Sequence, residues 1–300
     1  MERLKSWFSA FRLRTLPLSI SGIVIGACFA VYNGFFSPLV FILALLVTLS
    51  LQILSNLAND YGDGIKGTDN ENRVGPMRAV QSGKITPEQM FEALKINVLI
   101  VIFLTILLIY TAFGHGYFLY SLFFLGLGGL SVYAAMKYTM GDSAYGYRGL
   151  GDVFVLVFFG FVSVVGSYFL FSKQLDHIVV LPSIAVGLLS VGVLNLNNMR
   201  DIESDKLSNK ITTAVKLGKE KSKKYHLFLV ISAMIVGVVF AILYYTSFWN
   251  FLFFISYIPL TIHIKKIISA QVSSDFDSQL KVLALSTFLF SLLLGIGYIL

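Results

Sequence analysis

Four amide and acidic side chains, Asn56, Asn59, Asp60 and Asp63, stand at i, i+3, i+4 and i+7 in LSNLANDYGDGIKGTD, residues 54–69. If one helix runs through them, they share a face. A second stretch, NLNNMRDIESD at 195–205, sets Asn198, Asp201 and Asp205 at i, i+3 and i+7. Both stretches close long apolar runs. Carboxylates converging from two such helix ends repel one another and resist ionisation unless a cation neutralises them. A hard divalent ion does so. Magnesium takes carboxylate oxygens, keeps several waters and bridges to substrate phosphates. The plainer reading is two acidic helix ends facing solvent; the doubled motif and its asparagines argue against it.

Basic residues that could meet a phosphate are Arg73, Arg78, Lys84, Lys137, Arg148, Arg200, Lys206, Lys210 and Lys216. Most of them serve topology or lipid head groups. Tyr133 and Lys137, four apart, share a face at a helix end. The loop YGYRGLGD, from Tyr145 to Asp152, sets aromatic and charged residues among glycines that allow close backbone approach to a ligand. A phosphate-binding cation site opening into an apolar bundle suits a lipid with a diphosphate head. Metal and lysine would stabilise the leaving diphosphate. Ring faces among the 27 Phe and 15 Tyr would stabilise an allylic carbocation. His115, His177, His226 and His263 do not cluster, and each reads as a surface residue rather than a metal ligand. Cys28 is the single cysteine, which excludes an intramolecular disulfide and a cysteine metal site.

The elements that carry these residues are membrane spans. Of 300 residues, 56% are hydrophobic and only 13% charged, against about 25% charged in a soluble domain. Apolar runs near the bilayer-spanning length give nine helices, roughly 16–33, 38–58, 94–113, 117–137, 152–172, 179–199, 227–246, 248–267 and 282–300. The expectation is an all-α polytopic membrane bundle forming one domain, 1–300. Leu4, Trp7, Phe8 and Phe11 make an interfacial helix before the first span, which is retained rather than cleaved. The net charge of +7 reads as topology, not nucleic-acid binding. Lysine and arginine gather at the N-terminus and in the even loops, which places both, with the acidic motifs, in the cytoplasm of a cell-membrane protein. The long loop from Asp60 to Ala93 reads as a lid over the polar site. Thr86-Pro87-Glu88-Gln89 ends it as a helix start. Membrane lipid is an expected partner; an obligate protein partner is not.

These motifs resemble those of the UbiA superfamily of intramembrane aromatic prenyltransferases. That family carries N-D-x-x-D-x-x-x-D after its second helix, D-x-x-x-D after its sixth, and Y-x-x-x-K. Here they read from Asn59 to Asp63, from Asp201 to Asp205, and Tyr133 with Lys137. The last aspartate of the first motif falls on Gly67, and Asp69 lies two residues on. NLANDYGDGIKGTD, GPMRAVQSG, YGYRGLGDV, NNMRDIESD and RLRTLPLSISGIVIGA are similar to the branch acting on 1,4-dihydroxy-2-naphthoate. The resemblance implies magnesium-dependent transfer of a polyprenyl chain from its diphosphate to that acceptor, with decarboxylation, giving a demethylmenaquinone. It implies metal ligation by Asn59, Asp60, Asp63, Asp201 and Asp205, and diphosphate contacts from Lys137, Lys210, Arg78 and Asn198. Asp63, Asp201, Asp205 and Lys137 would be catalytic. Arg148 and Tyr145 would meet the acceptor. Two other activities fit less well: prenylation of 4-hydroxybenzoate, and ion-coupled transport, whose sites tend to lie at the midplane of repeated halves.

Overall fold

The computed structural model describes residues 2–69 and 74–300; Arg73 therefore lies outside the described residues. All regular structure among them is helical. An amphipathic helix α1 (Glu2–Phe11) leads through the turn Leu13–Thr15 into α2 (Leu16–Tyr32), α3 (Pro38–Ile65), α4 (Pro87–Phe113) and α5 (Phe118–Lys137). Helix α6 (Gly151–Ser172) is π-helical over Leu156–Gly166. Then come α7 (Val180–Arg200), the short α8 (Ile202–Leu207) and α9 (Thr213–Leu217), and α10 (Lys219–Leu243), α11 (Phe254–Ser269) and α12 (Asp275–Ile299).

Eight of the described helices are long and apolar enough to cross a membrane, or nine when α1 and α2 are taken as one bent span. This is a multi-pass membrane protein. Each of the nine expected spans has its helix, but several run further than hydropathy places them. α3 continues to Ile65, α4 begins at Pro87, α10 at Lys219 and α12 at Asp275. The expected edges mark where the chain turns polar. Backbone hydrogen bonding does not stop there, and the extra turns carry the functional groups. α4 starts at the expected cap: Gln89 N donates to Thr86 Oγ1, and Thr86 N to Gln89 Oε1, each at 3.3 Å.

α7 is the most buried span, packed against α6, α10 and α12; α2 packs against α3, α6 and α12. Small residues let the backbones approach. A Cβ on Gly22 would come within 2.6 Å of Ser163 Cβ, and one on Gly160 within 3.0 Å of Gly187 Cα. Close backbone approach of this kind is how helices associate where lipid removes the hydrophobic driving force. A second apolar cluster forms at one end, where Ala79 and Ile85 of the 74–86 loop meet Leu54, Leu57 and Met90, with Trp7 and Phe11 of α1 against it. The four residues expected on one face of α1 therefore divide: Trp7 and Phe11 pack inward, while Leu4 and Phe8 stay exposed.

The histidine reading needs correction. His226 on α10 and His263 on α11 are fully buried and meet through their Nε2 atoms at 2.8 Å. His263 Nδ1 lies 3.0 Å from Gln279 Oε1, while Gln279 Nε2 donates to Ser278 Oγ at 3.2 Å. That amide orientation makes His263 Nδ1 the donor and His226 Nε2 the donor to His263. Thirty-seven residues separate the pair, and on adjacent helices sequence distance gives no sign of contact.

Candidate active site

The last turns of α3 present their polar face toward the 74–86 loop and the 145–152 loop. Asp63 is 1% exposed and fully engaged. Its Oδ2 accepts from Arg78 Nη1 at 2.8 Å and Lys210 Nζ at 3.2 Å, and its Oδ1 accepts from Tyr147 Oη at 2.7 Å. Lys210 also lies 3.6 Å from Asp205 Oδ1. One ammonium thus joins the two acidic motifs. Gly67 turns the chain with φ +69°, a conformation that favours glycine. Thr68 N and Asp69 N then fold back onto the carbonyl of Asp63, and Asp69 Oδ2 reaches Arg78 at 3.0 Å. Asp69 therefore shares Arg78 with Asp63.

The remaining carboxylates are differently employed. Asp60 accepts the backbone N–H of Ala79 and Val80, each at 3.1 Å, and so anchors the 74–86 loop to α3. Arg78 closes the same joint by donating to the Asn59 carbonyl at 2.7 Å. Asp201 is chelated by Arg200, with Nε to Oδ1 at 2.9 Å and Nη2 to Oδ2 at 2.6 Å. Arg200, itself buried, also holds Asn197 Oδ1 at 2.8 Å and Asp277 Oδ1 at 2.7 Å.

Burial pulls the Lys210 ammonium down, but Asp63 and Asp205 hold it above its ordinary range. Arg78 is raised likewise against its burial by Asp63 and Asp69. Burial, reinforced by Asp201 and Asp63 and opposed by Lys210, pushes the Asp205 carboxyl up to about 6. Burial and the charge of Asp63 push the Tyr147 phenol up, so it stays a donor to that carboxylate. Lys66 lies 4.2 Å over the Tyr147 ring and donates to the Gly141 carbonyl at 2.8 Å.

A cavity of about 360 Å³ opens from this cluster into the bundle, within the usual range for a small-molecule site. Asn59, Asp63, Arg78 and Lys210 line its polar end; Leu108, Phe124, Phe158 and Val162 line its apolar length. Tyr145 lines it too, held by donation to the Ala134 carbonyl at 2.9 Å and stacked on Phe154 at 3.9 Å. Gly146 beside it lies where a Cβ would come within 2.5 Å of the Tyr138 carbonyl, so only glycine fits.

Other expected residues fall elsewhere. Lys137 ends α5 with Nζ against Gly141, off the cavity, and Tyr133 is 57% exposed. Arg148 is exposed; only its carbonyl is used, accepting from Lys216 at 3.0 Å. Asn198 is buried, but its neighbour Asn197 is the one lining the cavity. The sequence assigns no such place to Tyr147, to Arg200 as the partner of Asp201, or to Asn197, Arg12 and Lys281 on the cavity wall. Arg200 stands immediately before the second motif and Tyr147 inside the glycine loop, which are the available signals.

The donor set bears on the magnesium that the resemblance implies. Among the described residues no three His, Cys, Asp or Glu side chains gather around one point. Asp63 and Asp205 nevertheless converge on one cation, the Lys210 ammonium, and Asn59 Oδ1 on the cavity wall is buried with no hydrogen-bond partner. Two carboxylates and an orphaned amide oxygen are hard ligands suited to this ion. Asp60 accepts from the loop amides and Asp201 from Arg200, rather than from Lys210.

Residues 19–293 match the UbiA prenyltransferase family. The chain is 42% identical over 260 residues to a 1,4-dihydroxy-2-naphthoate octaprenyltransferase of Escherichia coli, covering 85% of this chain and 82% of that protein. It is 39% identical over 298 residues to the protein of the same description in Haemophilus influenzae, covering 99% and 96%. Among solved structures, a UbiA homolog from Archaeoglobus fulgidus bound to GPP and Mg2+ superposes with a TM-score of 0.69 at 15% identity, covering 98% of this chain and 99% of that one. With its spans, its motifs and this match over most of its length, the chain belongs to the UbiA prenyltransferase family and is a membrane-bound prenyltransferase.

Proposed function

We propose that the chain, acting as one domain over 1–300, transfers a polyprenyl group from polyprenyl diphosphate to 1,4-dihydroxy-2-naphthoate. A carbon–carbon bond forms to the ring, the allylic C–O bond breaks with its electron pair leaving on diphosphate, and the ring carboxylate departs as CO2. The product is demethylmenaquinol, the reduced form of demethylmenaquinone. The relatives at 42% and 39% identity support the acceptor. The observation that carries the chemistry is the meeting of Asp63 and Asp205 at Lys210, at the polar end of the cavity.

Asp63, Asp205 and Asn59 would hold magnesium, which when bound supplies Lewis-acid stabilisation of the diphosphate. Arg78 and Lys210 are buried cations that bind phosphoryl oxygens and neutralise the charge of the leaving group. Tyr147 fixes the Asp63 carboxylate while these cations change partner. The 74–86 loop covers the reacting end and keeps water from the allylic cation. The apolar wall holds the isoprenoid. Asp60 and Arg200 act as positioning residues, one for the loop and one for the start of α12. The polar end and the N-terminus face the cytoplasm, on the distribution of lysine and arginine.

The test is direct. Protein in nanodiscs receives magnesium, a labelled polyprenyl diphosphate and either 1,4-dihydroxy-2-naphthoate or 4-hydroxybenzoate, and products are weighed by mass spectrometry. The expected product is a decarboxylated prenyl-naphthoquinol, absent with EDTA and absent in Asp63→Ala and Asp205→Ala. Prenylated hydroxybenzoate alone would overturn the acceptor; full activity in either variant would overturn the site.

A further inference from the structure

The cavity wall carries more positive charge than the diphosphate end uses. Its lining includes four basic residues, Arg12, Arg78, Lys210 and Lys281, and one acid, Asp63. Arg78 and Lys210 are committed to Asp63 at 2.8 and 3.2 Å. Arg12 and Lys281 come from the two ends of the chain, and the functional reading above gives them no role.

Arg12 is placed at the wall by the backbone around it, and Lys281 by its turn of α12. Arg12 sits at the break between α1 and α2 in a left-handed conformation, φ 50° and ψ 57°, which is rare for a residue with a side chain. Its carbonyl accepts from both Thr15 N and Thr15 Oγ1 at 2.9 Å. Its neighbour Phe11 is tied to α3, because Asn56 Nδ2 donates to the Phe11 carbonyl at 2.9 Å. Lys281 lies one helical turn after Asp277, which Arg200 links to Asn197 at the cavity wall. The turn Leu13–Thr15 packs against α12, so the two basic residues approach the cavity from adjoining elements. One face of α3 adds a ladder of neutral polar groups, Gln52, Ser55, Asn56 and Asn59, all lining the same cavity.

We propose that Arg12 and Lys281 bind the carboxylate of the aromatic acceptor, with the α3 ladder receiving its ring hydroxyls. This rests on the acceptor being a hydroxylated aryl carboxylate, as read above. It replaces Arg148, whose side chain lies outside the cavity. An anionic acceptor needs a counter-charge that the diphosphate does not compete for, and these two residues supply it at a site anchored separately from Asp63.

Two stable probes test the pocket: 1-hydroxy-2-naphthoate, which carries the carboxylate, and 1-naphthol, which lacks it. Each is titrated as an inhibitor against wild type, Arg12→Gln, Lys281→Gln, the double variant and Arg12→Lys. In wild type the carboxylated probe inhibits more strongly. In each Gln variant that preference falls about tenfold, and by up to about a hundredfold in the double variant, with the 1-naphthol constant and the KM for prenyl diphosphate within twofold of wild type. Arg12→Lys keeps the charge and retains most of the preference, which separates charge from folding. An unchanged preference in the double variant, or a rise in the KM for prenyl diphosphate instead, overturns the pocket. Wild type that prenylates no aryl carboxylate at all overturns the acceptor reading rather than the pocket.

Discussion

Asp63 is surrounded by groups from three parts of the chain, and they do two different things. Arg78 and Lys210 balance its charge; Tyr147 hydrogen-bonds it without adding charge. Tyr147→Phe should therefore lower magnesium affinity and turnover about tenfold while leaving the fold intact, read from the magnesium dependence of initial rates. The acidic positions, Lys210 and Arg78 were visible in the sequence because their types and spacing are chemically unusual in an apolar chain. Which acid does what was not. Asp60 and Asp63 are three residues apart, about 60° around an α-helix. That rotation turns one toward the backbone amides of the loop and the other toward the cavity. Helical spacing names a face, but only the neighbouring loop decides what each side chain on it meets. Arg200 shows the same limit: a basic residue next to the second motif reads as a phosphate ligand, yet it is buried and spends its donors on Asp201, Asn197 and Asp277.

The loop between α3 and α4 is an element without regular structure over 74–86, and it is attached at few points. Asp60 takes two of its amides, Arg78 returns to α3, and Ala79 and Ile85 seal an apolar contact. Asp60→Ala should free that segment. Cleavage by trypsin after Arg78 or Lys84 should rise severalfold, and turnover should fall through loss of the cover, with α3 and α4 still resistant. Unchanged cleavage would mean that Arg78 and the apolar contact hold the loop without Asp60. The long loop and its capping-box exit were legible in sequence. Its inward docking was not, because the acceptors for its amides lie on a helix that hydropathy ends at about residue 58.

Across the molecule, the helix count and order followed from composition and run length, since lipid leaves few ways to satisfy the backbone. Helix pairing did not. The buried His226–His263–Gln279 chain joins α10, α11 and α12, and none of the three lines the cavity. His226→Leu leaves His263 Nε2 without its donor, at a cost of roughly 1–3 kcal/mol. It should lower the Tm in detergent with KM values unchanged, and His226→Leu combined with His263→Leu should lose less than two single losses added. The spacing of the contacts around Asp63 carries a last consequence, for how the protein is made. Arg78 is 15 residues from Asp63, and the loop amides 19 and 20 residues from Asp60, whereas Lys210 is 147 away. Short-range contacts close soonest. A nascent chain that has delivered α3 and α4 to the bilayer can already fold its loop down over a neutralised carboxylate. It enters the membrane without a bare buried charge long before the ribosome reaches the second acidic motif.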